Sequence, residues 1–153
     1  MLNLLRKLTG VAGPEKGAAA EPDRIQVAAC VLLLEMAHTD GEFHAMEATL
    51  VKDLLADKFQ LSAEATAELI ALAQQEREAS LDIYQFTRQI DANFSLEQKL
   101  EVIESLWRIV YVDGVLDKYE EYLMRQLAKL LHISHRQMIE AKLKVLAEQR
   151  ASS

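Results

Sequence analysis

Apolar residues recur along this chain with helical spacing. Ile25, Ala28, Ala29, Leu32 and Met36 fall at i, i+3, i+4, i+7 and i+11, and Tyr119, Tyr122, Leu123, Leu127, Leu130 and Leu131 form a second stripe. Helix-start signals lie between such stripes. Asp23 with Gln26, Ser95 with Gln98, Asp117 with Glu120 and Ser134 with Gln137 have the spacing of a capping box, in which a short side chain and the residue three positions on satisfy each other's backbone amides. Ser62 and Ser80 read as plainer N-caps. Together these signals predict helices at about 23–39, 45–59, 63–78, 81–92, 96–112, 118–131 and 135–149. The fold class is all-α, a single-domain bundle of about seven helices. Segments 23–39 and 96–112 are apolar around most of their circumference, which marks them as the central pair. Segments 45–59 and 118–131 keep polar outer faces and are expected to surround that pair.

An internal repeat organises the bundle. A shift of 73 positions sets Leu33-Leu34 on Leu106-Trp107, Met36-Ala37 on Ile109-Val110 and Asp40-Gly41 on Asp113-Gly114. It continues through Met46-Glu47 on Tyr119-Glu120, Leu50 on Leu123 and Leu54 on Leu127. After a one-residue insertion in the first copy, Phe59-Gln60-Leu61-Ser62 falls on Leu131-His132-Ile133-Ser134. Two copies are too few for a solenoid, so units of about 25–79 and 96–149 are expected to pack as one pseudo-symmetric domain over 23–149. Residues 25–56 should then superpose on 98–129. Glu35 and Arg108 occupy equivalent positions with opposite charge. If the central helices cross near a shared axis, these two form a partly buried ion pair; otherwise each reaches solvent at the edge of its helix.

The N-terminus reads differently. Residues 10–22 collect three of the five Gly and both Pro, a linker composition. Before it, residues 1–9 form a short amphipathic helix, with Met1, Leu4, Leu5 and Leu8 on one side and Arg6 and Lys7 on the other. Eight residues and two cations are too little for stable membrane anchoring, so contact there is at most peripheral. Disorder, or docking on the domain or a partner, is the alternative. Without a signal-peptide pattern, and with Val27–Leu34 far shorter than the roughly 20 residues that span a bilayer, the expected location is the cytoplasm or the inner face of its membrane.

Composition narrows the functional classes. Acidic residues outnumber basic ones, 24 to 17, for a net charge of −7, and no basic stripe is sustained, which argues against nucleic acid as a partner. The single cysteine, Cys30, lies in an apolar run and cannot form an internal disulfide. There is no phosphate-binding Gly-rich loop, no nucleophile beside a base and no HExxH, so an enzyme is not expected.

The chemistry-bearing residues concentrate in two matching loops, Asp40-Gly41-Glu42-Phe43-His44-Ala45-Met46-Glu47 and Asp113-Gly114-Val115-Leu116-Asp117-Lys118-Tyr119-Glu120. Glycine suits a left-handed helix terminator, Asp bonds back to loop amides, and Glu favours the positive end of the next helix. A purely structural role accounts for all three. The competing reading is a cation such as Ca²⁺, which takes about six to eight oxygen ligands. Neither loop supplies an EF-hand set, so such a site is weak or shared between the loops. His38, Asp40, His44 and Glu47 also suggest a zinc-dependent enzyme or metal store. The second copy has Tyr111, Asp113, Asp117 and Glu120 in their places, without imidazole.

The paired segments Ala37-His38-Thr39-Asp40-Gly41-Glu42…Glu47 and Val110-Tyr111-Val112-Asp113-Gly114…Asp117…Glu120 resemble the TerB family of tellurite-resistance-associated proteins. They also resemble the related domain of some membrane-anchored DnaJ-type co-chaperones. The resemblance covers about residues 25–146. It implies an all-α bundle without enzymatic activity, acting in stress-response complexes with protein partners, some of them integral membrane proteins. It further implies divalent-cation binding at an acidic surface formed by Asp40, Glu47, Asp113, Asp117 and Glu120. His44 departs from the all-acidic pattern.

Overall fold

The computed structural model describes residues 20–39, 45–80, 82–113 and 116–152. Seven α-helices occur among them: α1 (Ala20–Ala37), α2 (Ala45–Phe59), α3 (Ala63–Ala79), α4 (Tyr84–Asn93), α5 (Leu96–Val110), α6 (Lys118–Leu130) and α7 (His135–Ser152). A 3-10 turn at Tyr111–Asp113 extends α5. No strand occurs among the described residues, and the all-α single-domain class is as expected. The expected N-terminal helix and most of the linker lie outside the described residues.

The central pair is α1 and α5. Every residue from Val27 to Leu34 is buried, as are Met36 and Ala37, because α1 packs against α2, α3, α4, α5 and α6. On α5, Val102, Ile103, Leu106, Trp107, Ile109 and Val110 are buried, and the helix packs on α7 as well as α1. Trp107 keeps its polar atom satisfied by donating its indole N–H to the Met138 carbonyl at 3.0 Å, with Tyr111 stacked beside its ring. Cys30 is fully buried, and desolvation raises its thiol pKa to about 12. It serves there as a small apolar residue.

Three expectations need correction. Helix α1 has begun by Ala20, so Asp23 lies inside it rather than capping it; Pro22 is tolerated because first-turn amides have no helical acceptor. Ser80 is the C-cap of α3, not the N-cap of α4. Helix α4 starts at Tyr84, whose amide donates to Asp82 Oδ1 at 2.9 Å. Finally, Tyr119 and Tyr122 do not belong to the buried stripe of α6. At 100° per residue the buried face runs through Glu120, Leu123, Met124, Leu127 and Ala128, and both tyrosines turn outward.

The two halves share their local boundaries. The ends of α1 and α5 and the starts of α2 and α6 are each 73 positions apart, and the starts of α3 and α7 are 72 apart. The turn after the second helix is also the same in both. Gln60 (φ 54°) and His132 (φ 62°) adopt the left-handed conformation without being glycine. Leu61 N–H then donates to Ala56 O at 3.0 Å, and Ile133 N–H to Ala128 O at 2.8 Å, the closing bond of a Schellman turn.

Glu35 and Arg108 do not meet. Glu35 Oε1 accepts from Arg77 Nε at 3.0 Å, while Arg108 holds Glu148 with two hydrogen bonds at 3.0 and 2.7 Å. Where α1 and α5 pack together, these positions turn outward, each toward the third helix of its own half. A double-mutant cycle checks this. Glu35→Leu and Arg108→Leu should be additive within error, whereas Arg108→Leu and Glu148→Leu should couple by about 0.5–1 kcal/mol, the range of an exposed pair.

The bidentate pairs also set an acid limit. Hydrogen bonds from Arg108 hold Glu148, and those from Arg24 hold Glu76, below the usual carboxylate range. A carboxylate with a lowered folded-state pKa adds stability above its unfolded pKa of roughly 4.3, and loses it as pH falls toward the folded value. The melting temperature should therefore drop below about pH 4, and Glu148→Gln should shallow that fall in a thermal-denaturation series.

Candidate functional site

Both Asp-Gly loops open after a central helix and close into an outer one. At the end of α1, His38 Nδ1 lies 2.8 Å from the Leu34 carbonyl and Thr39 Oγ1 donates to Met36 O at 2.7 Å, closing the helix with side chains. Residues 40–44 follow, so Asp40 and His44 lie outside the described residues. In the second half, Asp113 ends the 3-10 turn; its side chain, like Gly114 and Val115, lies outside what the structure describes.

The second loop re-enters helix through a complete capping box. Asp117 accepts from the Glu120 amide at 2.9 Å, and Glu120 Oε1 accepts from the Asp117 amide at 3.2 Å. The Asp-x-x-Glu spacing accomplishes this locally, satisfying two first-turn amides. Glu120 is also only 7% exposed, and its counterpart Glu47, in the first turn of α2, is 8% exposed. A favourable charge at a helix start does not by itself imply burial, and sequence reasoning misses it for both carboxylates. The signal is present in the phase: Glu120 lies three, four and seven residues before the buried Leu123, Met124 and Leu127, and Glu47 lies four and eight before Val51 and Leu55.

Packing gathers the flanks of the two loops. Lys58, near the end of α2, pairs with Glu101 in the first half of α5 at 3.3 Å, and α2 also packs on the 3-10 turn that ends α5. Helix α2 therefore runs antiparallel to α5, and Glu47 lies toward the end of the bundle where the second loop begins. Helix α6 packs on α1 as well as α5. Asp117 and Glu120 are directly hydrogen-bonded to each other, while no group of three or more His, Cys, Asp or Glu with metal-binding proximity occurs among the described residues. Of the zinc-type set, the structure describes His38 and Glu47 only.

An all-helical bundle with a buried Glu in the first turn of α2 and of α6, the latter behind a complete capping box, is the structural frame of the chain. The chain belongs to the family described as tellurite resistance protein TerB, whose model matches residues 26–143. A crystal structure of a protein of unknown function from Porphyromonas gingivalis has a similar fold, with a TM-score of 0.62 at 17% identity, covering 94% of this chain and 98% of that one. No curated protein matches. Among the described residues no helix is long and apolar enough to cross a membrane.

The capping box should be measurable. Asp117→Ala is expected to lower unfolding free energy by about 1 kcal/mol in urea titrations, with Asp117→Ser retaining most of the wild-type value.

Proposed function

We propose that this chain is a non-enzymatic binding module of a tellurite-resistance-like stress-response complex, with weak divalent-cation binding between its two Asp-Gly loops. Ca²⁺ is the first candidate, held by Asp40, Glu47, Asp113, Asp117 and Glu120. The observation that supports this reading is the matched pair of buried carboxylates, Glu47 and Glu120, at the starts of α2 and α6. Two carboxylates held in place at matched helix starts, each following an acidic loop, supply oxygen atoms of the kind a hard divalent cation takes. The site would be weak because Asp117 and Glu120 already cap α6, so a cation competes with amides for their oxygens. Membership of the TerB family supports the stress-response setting. The partner is a protein, including the cytoplasmic side of a membrane-protein complex, and the location is cytoplasmic or peripheral at the inner membrane face.

Calcium titration followed by thermal denaturation tests the cation. Calcium at ten times its dissociation constant should stabilise the protein by about 1.4 kcal/mol, and Asp113→Asn should remove most of the gain. No shift at millimolar calcium would leave the carboxylates with the capping role alone. Zinc binding tighter than calcium binding, lost in His38→Ala, would instead favour the metal-dependent enzyme or store built on His38, Asp40, His44 and Glu47.

A further inference from the structure

The outer face of α6 differs from the rest of the surface. Tyr119 and Tyr122 stand 65% and 63% exposed, and Lys118, Arg125 and Lys129 are exposed with them. Helical geometry places Lys118, Tyr122, Arg125 and Lys129 at i, i+4, i+7 and i+11, one stripe about 16 Å long, with Tyr119 at its edge. Elsewhere the cations are largely matched: Arg24 with Glu76, Arg77 with Glu35, Lys99 with Asp91, Arg108 with Glu148 and Lys144 with Glu104. On α6 only Arg125 is paired, with Glu121 at 3.3 Å; Lys118 and Lys129 have no ion-pair partner among the described residues.

The internal repeat separates what the fold requires from what it does not. Positions that build the bundle agree between the copies: Glu47 with Glu120, Val51 with Met124, Leu54 with Leu127. On the outer face the copies agree in part: the exposed Met46 matches the exposed Tyr119, and Lys52 matches Arg125. They differ where Ala45 and Thr49 of α2 stand in the places of Lys118 and Tyr122. Neither core packing nor the capping box uses these two α6 side chains.

We infer that the Lys118–Tyr119–Tyr122–Arg125–Lys129 face of α6 is a docking surface for an acidic peptide segment of a partner protein. Carboxylates of the segment pair with Lys118 and Lys129, and its apolar side chains cover the tyrosine rings, a residue type enriched among the anchors of protein interfaces. Charge complementarity favours a peptide over a membrane. The chain carries −7 overall, so an anionic bilayer, being broad and flat, would also meet its acidic surface. A narrow segment can instead follow the stripe from Lys118 to Lys129, which have no ion-pair partner among the described residues, with Arg125 and Glu121 forming a neutral pair between them. The inference deepens the binding-module reading by naming the surface and the chemistry it takes, and it rests on that reading.

The probe is a fluorescein-labelled peptide of repeated Glu-Glu-Phe units, titrated with the full chain and followed by anisotropy. Wild-type protein should bind with an affinity that falls as salt rises. Lys118→Glu with Lys129→Glu should weaken binding at least tenfold. Tyr119→Ala with Tyr122→Ala, which leaves net charge unchanged, should weaken it at least fivefold. Lys52→Glu on the outside of α2 should have little effect, and circular dichroism should report unchanged helix content throughout. Equal affinity in all variants would overturn the proposal, as would preference for a Lys-Lys-Phe peptide. Binding to phosphatidylserine vesicles through the same residues, with no peptide binding, would assign the face to lipid. A dimer dissolved by the tyrosine substitutions would assign it to a second copy. Peptide binding without any calcium-dependent stabilisation would remove the cation from the proposed function and leave this surface standing. Calcium-dependent stabilisation without peptide binding would do the reverse.

Discussion

A helix that is apolar on every side has to be enclosed, and the arrangement of this protein follows from enclosing α1. From Val27 to Leu34 no residue is left for solvent, so five other helices are drawn around it. Each fully buried Leu or Val contributes roughly 1.5–3 kcal/mol relative to exposure, which makes this segment a large share of the driving force. Ala28, Ala29 and Cys30 keep the helix narrow on part of its surface, leaving room for neighbours to approach. The first polar position after that run, Glu35, falls two residues before the helix ends and marks where enclosure stops. Helix α5 repeats the scheme with Trp107 as its largest buried side chain and Arg108 at the edge.

The edge positions show how a pattern is kept while its chemistry changes. Glu35 and Arg108 perform the same task in the two halves, tying a central helix to the third helix beside it, with charges exchanged. Their equivalence is legible in the sequence, but their partners are not. Matching positions in two copies need not touch, and where α1 and α5 pack together their buried side chains are apolar while Glu35 and Arg108 turn outward. Arg77 and Glu148 lie 42 and 40 residues downstream of Glu35 and Arg108, at separations that carry no periodic signal.

Helix boundaries are readable wherever a cap is written locally. Ser62, Ser95, Asp117 and Ser134 begin helices as their spacing predicts, since each amide it satisfies lies within three residues. Helix α4 lacks such a side-chain cap, and its start is correspondingly hard to place from sequence. Tyrosine raises a different difficulty. An apolar ring with a polar tip suits a core stripe or an exposed face equally well, so Tyr119 and Tyr122 match helical spacing while lying outside the buried arc. The two Asp-Gly loops stand out by their duplication, and their acidic residues by type. That Glu47 and Glu120 are withdrawn from water follows only when the phases of α2 and α6 are set by their buried leucines, valine and methionine.

Enclosure of α1 also has a redox consequence. Thiolates, not thiols, attack electrophiles and oxidants, and the lone sulfhydryl of this chain is neutral across the physiological range as well as sealed from solvent. It sits in the middle of a helix packed against five others, so a reagent reaches it only when that packing opens. The folded chain is therefore silent toward thiol-consuming oxidants, and cysteine modification reports how often the central helix is uncovered. Chemical resistance and conformational stability become the same quantity at that one sulfur.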